Sequence, residues 1–374
     1  MAAANVIEPV KYHYGTFPPS KLDYERLIDP VSTAMASLAR YDQMLAGMHN
    51  SEILLAPLRN QEAVVSSRME GTISTLDEIL RIDAEDSGGD SNAFDNARSD
   101  AVETLLYARA MLRMQGQMED GQPLSEFLIR SAHQMLLSFG RGRNMSPGAY
   151  KTEQNAIGER RNKISFLPIS PESLPSGMQS LMSFIHDNPM NKLLKTAISH
   201  VEFEALHPFK DGNGRIGRMM ITLMLWEYGL IRRPHFYVSA FFEELRDEYI
   251  EAMRQVSAAG AWTEWCVFFL QGLHEQATRN IDTAKHILAL YEDMKARFRE
   301  ELNSQWSVDA LDFMFTNPTF RNNRFTASTR IPAHVAKTMT RKLREAGLIV
   351  QVAPPSGRRP AMYSFKPLID LVRD

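Results

Sequence analysis

A single cysteine, Cys266, stands in 374 residues, which excludes an intrachain disulfide and gives no reason to place the chain in an oxidising compartment. No apolar run approaches the ~20 residues that span a bilayer. The opening Met1-Ala-Ala-Ala-Asn-Val-Ile-Glu has neither the basic start nor the apolar stretch of a signal peptide. There is no GxxxxGK[ST] phosphate loop, no HExxH, no cysteine cluster and no Ser-His-Asp pattern. These absences exclude disulfide scaffolds, helical membrane proteins, P-loop sites and HExxH metalloproteases. The expectation is a soluble, cytoplasmic protein without a membrane partner.

Ordinary cores are affordable, because 44% of residues are hydrophobic and 23% charged. At this length two or three domains are expected. Charge is uneven: residues 303–374 hold 11 Lys/Arg against 5 Asp/Glu, although the whole chain is at −3. That asymmetry points to separate roles for the tail and the rest.

The periodicity predicts a mainly α fold. Residues 1–25 read as an extended arm. Helices follow over 30–49 and 51–68, with Leu54, Leu55, Leu58, Val64 and Val65 on apolar stripes. Thr75 to Glu78 reads as a capping box before a short helix through Ile82, and 86–92 as a polar loop. Further helices are expected at 95–116, 124–138, 173–187, 192–206, 214–229, through Tyr249, and 262–301, with one hairpin at 154–168. In the tail, Val308, Leu311 and Phe313 suit a helix, and Ile331 to Gly347 a second with Gly347 beyond its end. Leu348–Val352 and Met362–Phe365 suit short strands. The expected organisation is 1–94 as arm and helical region, 95–302 as core, and 303–374 as a small α+β domain.

One segment is dense in chemistry: His207-Pro-Phe-Lys-Asp-Gly-Asn-Gly-Arg-Ile-Gly-Arg218. Gly212, Gly214 and Gly217 let a backbone approach a ligand. Ile216, Met219, Met220 and Leu223 are spaced as a helix, which puts the glycines at a helix N-terminus, where anions bind. Asp211 is a hard oxygen donor of the kind Mg²⁺ uses beside phosphates. Arg215 and Arg218, three apart, share a helical face suited to gripping polyphosphate. Gly212 to Gly217 also matches the dinucleotide fingerprint GxGxxG. That fingerprint needs a preceding strand, whereas Leu194, Ile198, Val201, Phe203 and Leu206 are spaced as a helix. The segment therefore reads as a nucleotide site with its own base, His207. His133 and His200 lie on apolar helices and are expected to be packed and hydrogen-bonded.

This segment resembles the Fic family signature, His-x-Phe-x-Asp/Glu-Gly-Asn-Gly-Arg-x-x-Arg, at every fixed position. The resemblance extends to Ser146–Gly158, where Lys151 replaces the usual arginine, to His200–His207, to Arg246-Asp-Glu-Tyr249 and to Trp262–Leu270. It implies an all-helical Fic core with a β-hairpin flap. The implied reaction moves AMP from ATP to a serine, threonine or tyrosine hydroxyl of a target protein, or of the chain itself. His207 is then the general base and Asp211 the Mg²⁺ ligand. The N–H groups of Gly212, Asn213 and Gly214, with the Asn213 side chain, form the hole for the α-phosphate. Arg215 and Arg218 hold the outer phosphates, with Ile216 and Gly217 in the same nucleotide-binding stretch. Tyr249 and Ile250 stand where the family often has two aromatics against adenine. Glycine at both 212 and 214 favours AMP over phosphate transfer.

The resemblance implies two further features. The flap uses Ile157, Ile164 and Phe166 to hold an extended target segment. Ser66-Ser-Arg-Met-Glu70-Gly71 is similar to the family's inhibitory motif, in which Glu70 occupies Arg218 and keeps ATP unproductive. The same glutamate positions a water for AMP removal in some relatives, an alternative function. Family habit also implies a homodimer. The tail resembles a winged helix, with Lys337, Arg341, Lys342 and Arg344 towards DNA and Arg358-Arg359 at the wing tip. A DNA-binding regulator is thus a further alternative, beside a protein-contact module.

Overall fold

The computed structural model describes residues 8–46, 52–87, 92–159, 163–328, 330–357 and 359–373. It is mostly helical, with 66% of residues in helices. Along the chain come β1 (Val10–Lys11), α1 (Tyr24–Ala46), α2 (Glu52–Met69), α3 (Leu76–Ser87), α4 (Ser99–Glu119) and α5 (Glu126–Leu136). The hairpin β2 (Ile157–Glu159) and β3 (Lys163–Leu167) leads into α6 (Leu174–Asp187), α7 (Lys192–Leu206), α8 (Asn213–Glu227), α9 (Ser239–Glu244), α10 (Arg246–Ala259) and the long α11 (Trp262–Leu302). The tail adds α12 (Ser307–Thr316), β4 (Thr319–Arg321), α13 (Asn322–Ser328), α14 (Ala333–Glu345), β5 (Val350–Ala353), β6 (Met362–Ser364) and α15 (Lys366–Arg373). Among the described residues, no helix is long and apolar enough to cross a membrane.

Two compact units divide the chain: residues 1–42 with 109–277, and 43–108 with 278–374. These do not coincide with the segments 1–94, 95–302 and 303–374 read from composition, because each unit is assembled from stretches distant in sequence.

In the first unit α7 is the central element, buried on nearly every residue and packed against α6 and α8. Gly177 allows α6 to come close, since a Cβ there would lie 2.6 Å from Leu206 Cδ2. The hairpin belongs to a three-stranded sheet of order β1-β3-β2. β1 runs parallel to β3 with Val10 opposite Phe166, and β2 runs antiparallel with Gly158 opposite Ile164. The arm is therefore tied down. Tyr12 donates to Glu202 Oε1 at 2.7 Å, and His13 bridges Glu202 Oε2 at 2.8 Å and Ser257 Oγ at 2.7 Å.

In the second unit α2 packs on α12 and α15, and α3 on β4. The capping box at α3 is reciprocal: Thr75 N–H donates to Glu78 Oε2 at 2.9 Å and Glu78 N–H to Thr75 Oγ1 at 3.3 Å. The tail sheet is antiparallel in the order β4-β6-β5. β4, α13 and α15 are too short to carry a readable period, and the sequence did not reveal them. Part of the tail's positive charge meets acids of α3: Arg321 with Glu85 at 3.7 Å, Arg324 with Asp83 at 3.5 Å, and Lys366 with Asp77 at 3.7 Å.

Candidate active site

Helix α7 stops at Leu206 because His207 precedes a proline, which disfavours helical backbone at the residue before it. His207 turns into the left-handed region (φ 45°, ψ 62°) while its N–H still donates to Phe203 O at 3.0 Å. Six residues later α8 begins at Asn213, behind Gly212 at φ 79°. The loop thus carries a half-buried imidazole from the end of one core helix to the start of the next.

Three side chains shape that loop. Asn213 accepts Phe209 N–H on Oδ1 and donates Nδ2 to Phe209 O, both at 2.8 Å. Both ends of its amide are engaged on the backbone, so the side chain staples the loop. Phe209 stacks on His133 with ring centroids 3.7 Å apart at 8°. His133 Nδ1 accepts Gly148 N–H at 2.8 Å, which places its proton on Nε2, and Nε2 donates to Asp211 O at 2.9 Å. Burial pushes the His133 pKa down to about 4, so the ring is neutral in this role.

Asp211 Oδ1 accepts the N–H of Gly212 at 2.7 Å and lies 3.7 Å from Arg215 Nη2. The Gly212 N–H is thereby engaged by Asp211. The N–H groups of Asn213, Gly214 and Arg215 form the first turn of α8, where no intrahelical acceptor exists, and Gly212 at the N-cap has no side chain to cap them. They remain a site for an anion, aided by the helix dipole.

Arg215 is fully buried, with Nη2 3.7 Å from Asp211 Oδ1. Arg218, one turn on, is 3% exposed; burial, and after it the Arg218 charge, holds the His200 pKa down to about 3. Ile216 is a core residue. Gly217 faces α7: a Cβ there would meet Glu204 Oε1 at 2.3 Å and His200 Cε1 at 3.3 Å. Its absence of side chain serves helix packing, where sequence reading had given it to the nucleotide.

The model described as "Fic/DOC family N-terminal" matches residues 28–114, and that described as "Fic/DOC family" matches 123–225. A Fido domain-containing protein of Dictyostelium discoideum is 30% identical over 115 residues, 29% of this chain and 71% of the relative. The chain belongs to the Fic/DOC family. A probable protein adenylyltransferase of Aquifex aeolicus is 29% identical over 116 residues, 31% of this chain. Protein adenylyltransferase fic-1 of Caenorhabditis elegans is 26% identical over 129 residues, 32% of this chain. The chain spans only 32% and 24% of the lengths of these two relatives. Among solved structures, a Fic family protein from Desulfovibrio desulfuricans superposes with a TM-score of 0.57 at 19% identity, covering 91% of this chain and 96% of that one.

Other residues of the Fic site are distributed unequally. Tyr249 is buried: its hydroxyl is 2.8 Å from His200 Nε2 and its ring stacks on Phe242 at 4.5 Å. Ile250, next on the same helix, is 41% exposed. The two residues expected together at adenine therefore point apart. In the flap, Ile164 is exposed and Ile157 half-buried, whereas Phe166 lies in the core at the root of β3. Residues 160–162 lie outside the described residues. The Ser66–Gly71 motif closes α2: Ser66 is buried, Glu70 N–H donates to Ser67 O at 3.1 Å, and Gly71 takes φ 81°. It belongs to the second compact unit, while Arg218 belongs to the first. Sequence reading expected His133 to be packed and hydrogen-bonded without naming its partners, and gave Lys151 and Asn155 no role, because their partners across the fold lie 15 to 78 residues away.

Proposed function

We propose that this chain transfers AMP from ATP to a hydroxyl group of a target protein. The observation that supports it most is the helix–loop–helix of α7 and α8, which delivers an imidazole and a helix N-terminus from one short segment. His207 takes the proton of a serine, threonine or tyrosine hydroxyl as the oxygen attacks the α-phosphorus. The bond to the β-phosphate oxygen breaks and pyrophosphate leaves. The N–H groups of Asn213, Gly214 and Arg215 hold the α-phosphate charge in the transition state, and Arg218 holds the outer phosphates. Among the described residues there is no cluster of three ligands for a resident metal. Asp211 is part-exposed with Oδ2 available, which fits a Mg²⁺ that arrives on the triphosphate and takes one protein carboxylate. Bound there, the ion offsets charge on the departing pyrophosphate.

Glu70 restrains the reaction by pairing with Arg218 in place of the γ-phosphate. ATP labelled on either the α- or the γ-phosphate tests the scheme. Label from the α position alone, several-fold stronger in Glu70→Gly and absent in His207→Ala, is the expected result. Label from the γ position overturns AMP transfer, and equal labelling of wild type and Glu70→Gly overturns the restraint. AMP release from a modified protein that depends on Glu70 would favour the reverse reaction.

A second reading concerns the tail. His334, Lys337, Arg341 and Arg344 line the exposed face of α14. Lys342, expected beside them, instead donates to Glu301 O and Leu302 O, both at 3.3 Å, at the end of α11. Arg341 pairs with Glu345 at 3.0 Å, and Arg358 lies outside the described residues. The remaining cations favour a DNA backbone over base reading. Lys337→Ala with Arg344→Ala should weaken duplex binding by the full chain and lower the salt dependence by about two charges; an unchanged salt slope refutes it.

A further inference from the structure

The loop that carries His207 is held from outside by two side chains of the segment before the flap. Lys151 N–H donates to Pro208 O at 2.8 Å, and its Nζ donates to Leu206 O at 3.0 Å. Asn155 Nδ2 donates to His207 O and Phe209 O, both at 3.1 Å. Four consecutive carbonyls, 206 to 209, are thus captured by two residues. The two are joined to each other, Nζ to Asn155 Oδ1 at 2.7 Å. Lys151 is 3% exposed, so its ammonium is committed here and not to solvent.

This arrangement answers a physical need. His207 is a non-glycine residue at φ 45°, a backbone conformation that persists only where the surroundings impose it. Asn213 fixes Phe209 from the inner side, yet no bond of Asn213 reaches residues 206 to 208. The clamp does. Asn155 also stands two residues before β2, and the neighbouring Gln154 donates to Pro168 O at 3.0 Å, just beyond β3. The stem of the hairpin and the loop of the base are therefore one hydrogen-bonded piece.

We infer that Lys151 and Asn155 are positioning residues that set the backbone of the general base and tie it to the flap, so that they govern turnover and not nucleotide affinity. The inference rests on the AMP-transfer reading. A target segment paired along the hairpin would have its hydroxyl oriented by the same piece of structure that orients the imidazole.

The test uses full-length chains carrying Lys151→Met, Asn155→Ala and Lys151→Arg, each with and without Glu70→Gly. In Lys151→Met and Asn155→Ala, kcat for label transfer from the α-phosphate should fall by roughly tenfold to a hundredfold, with the Kd for ATP within about twofold of the parent. Lys151→Arg keeps a cation that can reach the same oxygens and should recover most of the loss. The His207 imidazole resonance, assigned by its disappearance in His207→Ala, should shift in Asn155→Ala. Unchanged kcat, or parallel loss of kcat, ATP affinity and Tm in every variant including Lys151→Arg, overturns the clamp. If the parent and Glu70→Gly chains transfer no label, the AMP-transfer reading fails instead, and the His207 resonance alone decides: no shift in Asn155→Ala then overturns the clamp.

Discussion

His133, His200 and His235 are buried imidazoles whose surroundings keep them neutral, with pKa values pushed from 6.5 down to about 4, 3 and 4, mainly by burial. A base whose pKa is lower in the folded chain leaves the unfolded state binding more protons once the pH drops below 6.5. Stability is then unaffected above pH 6.5 and lost as pH falls from there towards 4, by about 1.4 kcal/mol per pH unit for each ring. Three such rings predict a loss of about 4 kcal/mol between pH 7 and 5.5, read as a fall in the urea midpoint. A flat profile over that range would contradict neutral burial. That these histidines would be packed was legible for His133 and His200 from their apolar helices. Which groups they hold was not, because His133 reaches Gly148 and Asp211 across the fold. Asn213 shows the same limit: its place in the motif was plain, but its two bonds to Phe209 were not.

At the level of elements, period and caps carried most of the helices. Ser125 accepts Leu128 N–H at 3.4 Å at the start of α5, and Gly347 takes φ 70° just past α14. Glycines inside helices were the ambiguous case. Gly217 and Gly272 mark helix contacts, and a sequence cannot separate that use from ligand approach. At Gly272 a Cβ would lie 2.6 and 2.7 Å from ring carbons of Phe241, which is fully buried against Phe242 and Phe268. Gly272→Ala should therefore destabilise the α9–α11 packing by about 1–3 kcal/mol, since a ring cannot fold away as a chain end can. Denaturant unfolding measures it, and pairing the change with Phe241→Leu should recover part of the loss. A neutral Gly272→Ala would mean that α9 yields freely.

For the whole molecule, charge patterning pointed to an independent tail, and the structure places 303–374 in one compact unit with 43–108. The basic residues Arg321, Arg324 and Lys366 face acids of α3, and buried Leu311, Phe313, Met314 and Phe315 accompany α12 onto α2. The part-exposed pairs of Arg324 and Lys366 contribute little, whereas Arg321 is buried beside Glu85, and the apolar contact carries most of the association. Removing 303–374 should consequently leave α2 and α3 with uncovered apolar faces. The expected outcome is a truncated chain that aggregates or binds a hydrophobic dye, seen by size-exclusion chromatography and dye fluorescence. A monodisperse, dye-silent product would show the tail to be separable.

Local chemistry determined what could be read directly. Residues 207–218 fixed the family signature, the end of α7 before Pro208 and the start of α8 behind Gly212, because each depends on neighbours within a few positions. The tertiary structure alone decided that Arg215 is fully buried beside Asp211, that Tyr249 turns inward while Ile250 turns out, that the arm joins the sheet of the hairpin, and that Lys151 and Asn155 grip the His207 loop. Burial and hydrogen-bond partnership are properties of groups brought together in space, and a one-dimensional pattern records only which groups are available to be brought.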